Sequence, residues 1–513
     1  MPKKNDFSLT EEEMEKLIDQ EILGKFPYTF LETFILLPLK DSPGKIVFAT
    51  EDPSRIDQGE IEHFTGRKVS FIIHEKETIL NLLKKHYYNP SSSQKIIQEL
   101  SRDEADFGDS FAEQLPAQNG DLLDLANQAP IIRLVNQIFY RAILMRASDI
   151  HIQSLESHLK VRYRIDGMLH DILTLPSKYQ PAVISRIKII SDLDIAEKRI
   201  PQDGRTGIRV EDKQIDVRVS IIPTFFGESA VLRLLDQSTY NFGLNELGFS
   251  KEDLARFDKL IHYDHGIILL TGPTGSGKTT TLYAALSRIN NPHIHIITLE
   301  DPVEYQLDGI NQIQVNPRVG LTFANGLRSI LRHDPNVIMV GEIRDKETAE
   351  MAIQASLTGH LVFSTLHTND STSSITRLLD MGIEPYLIAS SVIGIIAQRL
   401  IRLNCQKCCQ PVDYAPELLS EIGLNPAETN YNFKKGKGCE ICLSTGYHKR
   451  TGIFEFLEID DAIRSLIMKQ VSSGEIRKYA LASGLKTLRM DGARKVAEGL
   501  TTVDEILRVT QET

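Results

Sequence analysis

Residues Gly272, Pro273, Thr274, Gly275, Ser276, Gly277, Lys278 and Thr279 fit the pattern G-x-x-x-x-G-K-[ST], and Thr280 follows directly. The chemistry implied is the holding of a polyphosphate. Glycines let backbone N–H groups curl around phosphate oxygens, Lys278 reaches the terminal phosphates, and the Thr279 hydroxyl holds Mg²⁺. The pattern carries this meaning only between a strand and a helix. GIILLT (266–271) reads as the strand, and TTLYAALSRI (280–289) reads as the helix whose N-terminal dipole favours the anion. A plain glycine-rich turn would need neither flank.

Phosphate chemistry also needs acids at the ends of neighbouring strands. In NVIMVGEIRD (336–345) four apolar residues run into Gly341 and Glu342. Gly341 occupies the place where a magnesium aspartate is usual, so Glu342 is the candidate for Mg²⁺ and the attacking water. The alternative is a surface carboxylate. TLEDPVEY (298–305) offers Glu300, Asp301 and Glu304 after another apolar run. These acids suit magnesium and water ordering, or else a helix start with Pro302 in its first turn. HLVFSTLHTND (360–370) supplies Ser364, Thr365 and His367, which can donate to the terminal phosphate or to bound water. His360 is evenly balanced between a functional and a structural reading. Arg328 and Arg332, four apart, share a helix face. Arg205 in RIPQDGR, Arg218 in DVRVS and Arg233 in AVLRLL sit on or beside strand candidates. Arginines of this kind neutralise charge on a transferred phosphoryl group, or simply line a solvated face.

The second cluster is sulfur. All five cysteines fall between Cys405 and Cys442, as CQKC, Cys409 and CEIC. Two C-x-x-C knuckles, Cys405 with Cys408 and Cys439 with Cys442, suit a closed tetrahedral Zn²⁺ site of structural type. A disulfide pair is the alternative, and confinement of every cysteine to one segment speaks for a reducing compartment instead. Cys409 stands outside the set.

These residues need a scaffold. The chain has 513 residues, 41% hydrophobic and 25% charged, enough for about three domains. Beside a formal net charge of -11, no basic footprint of the kind a nucleic-acid motor needs stands out, although an acidic total leaves room for a local patch. The N-terminus is polar and acidic with no apolar signal core, and no 18-residue apolar run occurs. We expect a small mixed domain over 1–90, with strands in KIVFAT and VSFIIH, and a linker over 91–129. An α+β domain follows over 130–241, opening on a helix with apolar residues at Ile131, Leu134, Val135, Ile138, Phe139, Ala142 and Ile143. Alternating apolar strands and helical spans predict an α/β P-loop domain with a mostly parallel sheet over 242–400. The cysteine insert spans 401–450 and a charged helical region 451–513.

The combination resembles the secretion ATPases of the type II secretion and type IV pilus assembly class. The resemblance rests on ASDIHIQ (147–153), RIPQDGR, DVRVS, GPTGSGKTT, EDPVEY, NVIMVGEIRD, STLHTND, AQRLIRL (397–403) and the four cysteines. It covers the chain from about 130 onward and, more weakly, the first domain. It implies a RecA-like ATPase domain and a cytoplasmic homohexamer that binds ATP with Mg²⁺. Glu342 is then the catalytic acid, Lys278 the phosphate lysine, Glu300 and Glu304 the acidic box, and His367 the histidine box. Arg205 and Arg218 are then the arginines that reach the nucleotide. The resemblance further implies docking of the first domain on a bitopic inner-membrane assembly protein, transfer of motion to an inner-membrane platform protein, and no nucleic-acid partner. The short first domain favours type II secretion over pilus assembly, the runner-up. A DNA translocase and a non-hydrolysing scaffold are the rivals from other classes.

Overall fold

The computed structural model describes residues 10–19, 22–23, 26, 28–40, 45–87, 129–210, 213–236, 243–428 and 430–511. The expected linker lies outside the described residues, apart from Ala129. The chain divides into two compact units at Leu235/Asp236, close to the expected boundary at 241.

The first unit begins with a three-stranded sheet in the order β1 (Leu37–Lys40), β2 (Lys45–Thr50), β3 (Lys68–Ile73). Met14, Leu31, Phe48 and Leu83 pack around it as a small core of its own. The predicted helix then appears as Ala129–Leu144. Its i, i+3, i+4 stripe buries Ile131, Leu134, Val135, Ile138, Phe139 and Ala142 in the same core as a six-stranded sheet. That sheet has the order β6 (Met168–Pro176), β5 (His158–Ile165), β4 (Asp149–Ser154), β9 (Gly227–Asp236), β8 (Lys213–Thr224), β7 (Gln202–Val210). Burial alternates along β5, as a half-covered sheet requires. The expected Asp-Gly turn follows it, with φ of 48° at Asp166 and 86° at Gly167. The buried phenol of Tyr163 donates to the Ile138 carbonyl at 2.6 Å, which pins the helix to the sheet.

The second unit is built on a seven-stranded sheet. Its order is β12 (Asn311–Gln314), β11 (Ile296–Glu300), β13 (Val337–Val340), β14 (Leu361–Leu366), β10 (Gly266–Thr271), β15 (Val392–Asn404), β18 (Tyr447–Glu458). All neighbouring pairs are parallel except β15 with β18. Strands β10, β11, β13 and β14 are buried at every position. Coverage on both faces explains why they read as unbroken apolar runs. Ile267, Leu269, Ile338 and Val340 face one core, whereas Ile268, Leu270, Val337 and Met339 face the other.

Strand β15 differs from its expected extent. It continues through 400 to Asn404, and β18 pairs back along it from Glu458 opposite Gly394 to Tyr447 opposite Asn404. The expected boundary at 400 therefore falls inside a strand. The cysteine segment is an excursion from this hairpin, carrying the short pair β16 (Cys409–Pro411) and β17 (Lys434–Gly436). Four helices follow at Asp461–Met468, Ser473–Ala482, Leu488–Ala497 and Val503–Val509, so the region expected to be helical from 451 is strand β18 as far as Glu458 and helical only after it. Leu419 and Ile422 of the excursion share a core with Val496, Val503 and Ile506 of that tail.

Candidate active site

Parallel strands bring their carboxyl ends to one edge. Thr271 lies opposite Leu366 across β10–β14, and Leu299 opposite Val340 across β11–β13. Residues 272–277, Glu300, Glu342 and His367 therefore all lie at strand ends on the same side. This is where open α/β sheets bind ligands, at a point where chain order reverses. His360 precedes β14 and lies at the opposite edge, its Nδ1 2.8 Å from the Ala355 carbonyl. Of the two readings left open for His360, this position away from the phosphate loop favours the structural one.

The phosphate loop joins β10 to the helix Lys278–Ile289 as the pattern requires. Gly277 precedes the first turn at φ 86°, with no side-chain cap on the helix. The first-turn amides are thus left to an incoming anion rather than to a capping side chain. The Ser276 hydroxyl is buried in the loop without a hydrogen-bond partner. Thr279 sits half-buried in the first turn, fitting a magnesium-holding hydroxyl. Lys278 Nζ donates to the carbonyls of Gly272 and Pro273 at 2.7 and 3.2 Å, folded back along the loop.

Burial pushes the Lys278 ammonium down to about 8, while Glu342 works in the opposite direction. Phosphate beside Nζ favours the charged form, so binding raises this value again. Binding strength is then full below pH 8 and is lost as pH rises above it. The expected result is a rise of about eightfold in the dissociation constant for ATP between pH 7.5 and 9. Titration calorimetry in two buffers of different ionisation enthalpy checks it through proton uptake; a flat profile with no uptake contradicts it.

Glu342 is mostly buried at the end of β13, and it is clasped on both oxygens. Arg344 holds Oε1, and His367 Nε2 stands 3.3 Å from Oε2. The hydrogen bond to Glu342 raises Arg344 above the usual guanidinium range. Gly341 lies against the end of β11, where an added Cβ would come within 3.3 Å of the Leu299 carbonyl. A side chain at this position would therefore press on the end of β11. Arg344 was not singled out by its spacing, because an Arg-Asp pair before a helix reads as a cap. Asp345 is indeed the cap, accepting from the Thr348 amide at 2.8 Å.

Several expected donors face the scaffold. Ser364 Oγ donates to the Val340 carbonyl and Thr365 Oγ1 to the Gly341 carbonyl, both at 2.8 Å. They fasten β14 to the end of β13 instead of pointing to phosphate. Glu300 is 3% exposed and accepts from Thr298 Oγ1 at 2.6 Å, Gln312 Nε2 at 3.2 Å and the Tyr283 phenol. Burial raises its carboxyl above the ordinary range. Tyr283 also accepts from the Glu304 amide at 3.4 Å, so this helix and the acidic box are joined. No helix starts at Pro302. Arg328 pairs with Glu347 at 2.6 Å, and Arg332 donates to the Arg328 carbonyl at 2.9 Å.

Three of the other arginines belong to the first unit. Arg205 and Arg218 are directly opposite in the β7–β8 register, and Arg205 pairs with Asp216 at 2.6 Å. Arg233 pairs with the buried Asp149 at 3.1 Å.

The four knuckle sulfurs converge, every pair within 4.8 Å. Cys405 to Cys439 and Cys408 to Cys442 are 3.8 Å, and Cys439 to Cys442 is 3.6 Å. Tetrahedral ligation at about 2.3 Å places sulfurs about 3.8 Å apart, whereas a disulfide requires about 2.05 Å. All five cysteines are free thiols, and Cys409 turns away to the Gln406 carbonyl. The donor set and its spacing fit a closed metal site.

The family described as Type II/IV secretion system protein matches residues 124–508, and the MshEN domain matches 11–93. The chain belongs to the Type II/IV secretion system protein family. Type II secretion system protein E of Dickeya dadantii is 46% identical over 96% of this chain and 98% of that protein. The Pseudomonas aeruginosa protein of the same description is 47% identical over 88% and 89%. Type II secretion system ATPase E of Vibrio cholerae is 47% identical over 82% and 83%. Among solved structures, the pilus retraction motor PilT with bound ADP is 28% identical, with a TM-score of 0.50 over 73% of this chain and 96% of that one. This secretion-system chain is an ATPase, and its relatives place it in the type II branch rather than with pilus assembly. The expected RecA-like fold with a small N-terminal domain holds. No helix among the described residues is long and apolar enough to cross a membrane.

Proposed function

We propose that this ATPase is the hexameric motor that powers pseudopilus assembly and protein export in a type II secretion system. The observation that carries the reading is the convergence of Lys278, Glu342 and His367 at one sheet edge, in a chain with type II secretion relatives. Residues 272–280 hold the ATP phosphates, with the loop amides and Lys278 as donors. Thr279, with help from Glu342, would hold Mg²⁺, which would supply neutralising charge on the phosphates. Glu342 orients and deprotonates the attacking water, and His367 steadies its second oxygen. Glu300, buried under Tyr283, acts as a positioning residue for the acidic box that carries Glu304. Arg205 and Arg218 neutralise charge on the transferred phosphoryl group. Zn²⁺ at Cys405, Cys408, Cys439 and Cys442 is structural, closing the excursion. The motor sits on the cytoplasmic face of the inner membrane through a bitopic assembly protein and drives a platform protein. Nucleotide state and subunit geometry then bias each other reciprocally.

Deleting the gene and restoring it in the native cell tests the assignment. Loss of exported type II substrates, with pili intact, is the expected phenotype, and a copy carrying Lys278→Ala should not restore export. Loss of pili with export intact would transfer the chain to pilus assembly.

A further inference from the structure

Gln398 lies on β15 beside the phosphate loop, because Thr271 pairs with Ala397 across the β10–β15 ladder. It is 2% exposed. It touches the loop at both ends. A Cβ added at Gly272 would fall 2.4 Å from the Gln398 main-chain carbonyl oxygen, and one at Gly277 would fall 2.8 Å from the side-chain Nε2. Its Oε1 accepts from Thr281 Oγ1 at 2.8 Å, in the first turn of the following helix. Thr281 is fully buried. One residue thus meets the opening glycine, the closing glycine and the helix start.

Packing alone would not require an amide here. An apolar side chain of similar volume would fill the space, yet it would leave the buried Thr281 hydroxyl without its acceptor. Gly272 and Gly277 stand at φ 145° and 86°, conformations that side chains rarely adopt. At Gly272 the Gln398 main-chain carbonyl leaves room only for hydrogen, and at Gly277 the Gln398 amide nitrogen sits where a side chain would begin. The loop is therefore shaped against β15, before any phosphate is engaged.

We propose that Gln398 is a positioning residue for ATP, clamping the phosphate loop so that its amides and Lys278 converge on the phosphates in advance. The proposal rests on residues 272–280 being the ATP site. Preorganisation of this kind removes an ordering cost from binding. Loss of the clamp therefore falls on affinity, while Glu342 and His367, carried by β13 and β14, keep their geometry.

The test uses the full chain, a fluorescent ATP analogue, steady-state kinetics and thermal midpoints. Gln398→Met keeps volume and loses the amide. Binding and KM should weaken about tenfold, with kcat at saturation within about twofold. Thr281→Val removes the donor and keeps shape, so it should move binding in the same direction. The double variant should be no weaker than Gln398→Met alone, because both break one contact. Wild-type binding is read first: no binding there would sink the ATP site itself. With wild-type binding in hand, unchanged affinity in both variants overturns the clamp, as does a drop in thermal midpoint without a change in KM. If Gln398→Met fails to fold, Thr281→Val decides alone in the same way.

Discussion

Glu342→Gln should bind ATP within about threefold of the parent and hydrolyse it about 10²- to 10³-fold more slowly. Glutamine keeps the length and volume of the side chain at the end of β13. Its carbonyl oxygen can still accept from Arg344, which holds Oε1 in the parent. What it loses is the negative charge that orients water and accepts the proton. Lys278 and the loop amides, which hold the phosphates, follow β10 and keep their places, and Lys278 loses only the modest support of the Glu342 charge. Binding and turnover therefore separate, and single-turnover hydrolysis of bound ATP reads the difference without interference from product release. Hydrolysis at the parental rate would remove Glu342 from the chemistry. His367→Ala should show a smaller loss, because His367 acts through Glu342 Oε2 at 3.3 Å.

Cys405→Ser and Cys439→Ser should each release the metal and lower the thermal midpoint by on the order of 10 °C. Each knuckle supplies two thiolates, and a three-sulfur site keeps little of the affinity of four. The effect spreads beyond the knuckles. The Cys405 amide donates to the Gly446 carbonyl at 2.9 Å, and Leu419 of the excursion packs in one core with Val496 and Ile506. Unlacing the metal therefore loosens the contact of the excursion with the last two helices. Cys409→Ser is the internal control and should retain both metal and midpoint, since Cys409 faces the Gln406 carbonyl at 3.7 Å. Elemental analysis of the purified parent and variants checks the ligand set. A parent with no zinc, or a Cys405→Ser variant with full zinc, contradicts it.

The parts of this site that were legible in the sequence are the local ones. Residues 272–279 and the two C-x-x-C pairs write their geometry into consecutive positions, so spacing alone reveals them. Glu342 and His367 were reachable because each follows an apolar strand, and parallel strands share an end. The remaining features depend on pairing between distant segments. Nothing near Glu300 says that Tyr283 will cover it, or that Ser364 and Thr365 will turn to the neighbouring strand. His367 stands out in the sequence as the strand-end histidine, whereas the open choice at His360 is settled only by strand direction. The run of β15 past 400 follows from its antiparallel partner β18, which begins at Tyr447. Gln398 owes its place beside Gly272 to the β10–β15 register, a contact between residues more than a hundred positions apart. The AQRLIRL segment was visible as a signature; what its glutamine touches was not.

In the function proposed above, this sheet edge turns ATP hydrolysis into work on a type II secretion machine. The most direct test measures ATP hydrolysis by the purified chain, alone and with the cytoplasmic domain of the bitopic assembly protein from the same operon, with mass determined on the same samples. Binding, assembly to a higher-order species and faster turnover with the partner are the expected result. That function is contradicted if neither this partner nor its pilus counterpart binds while DNA accelerates hydrolysis.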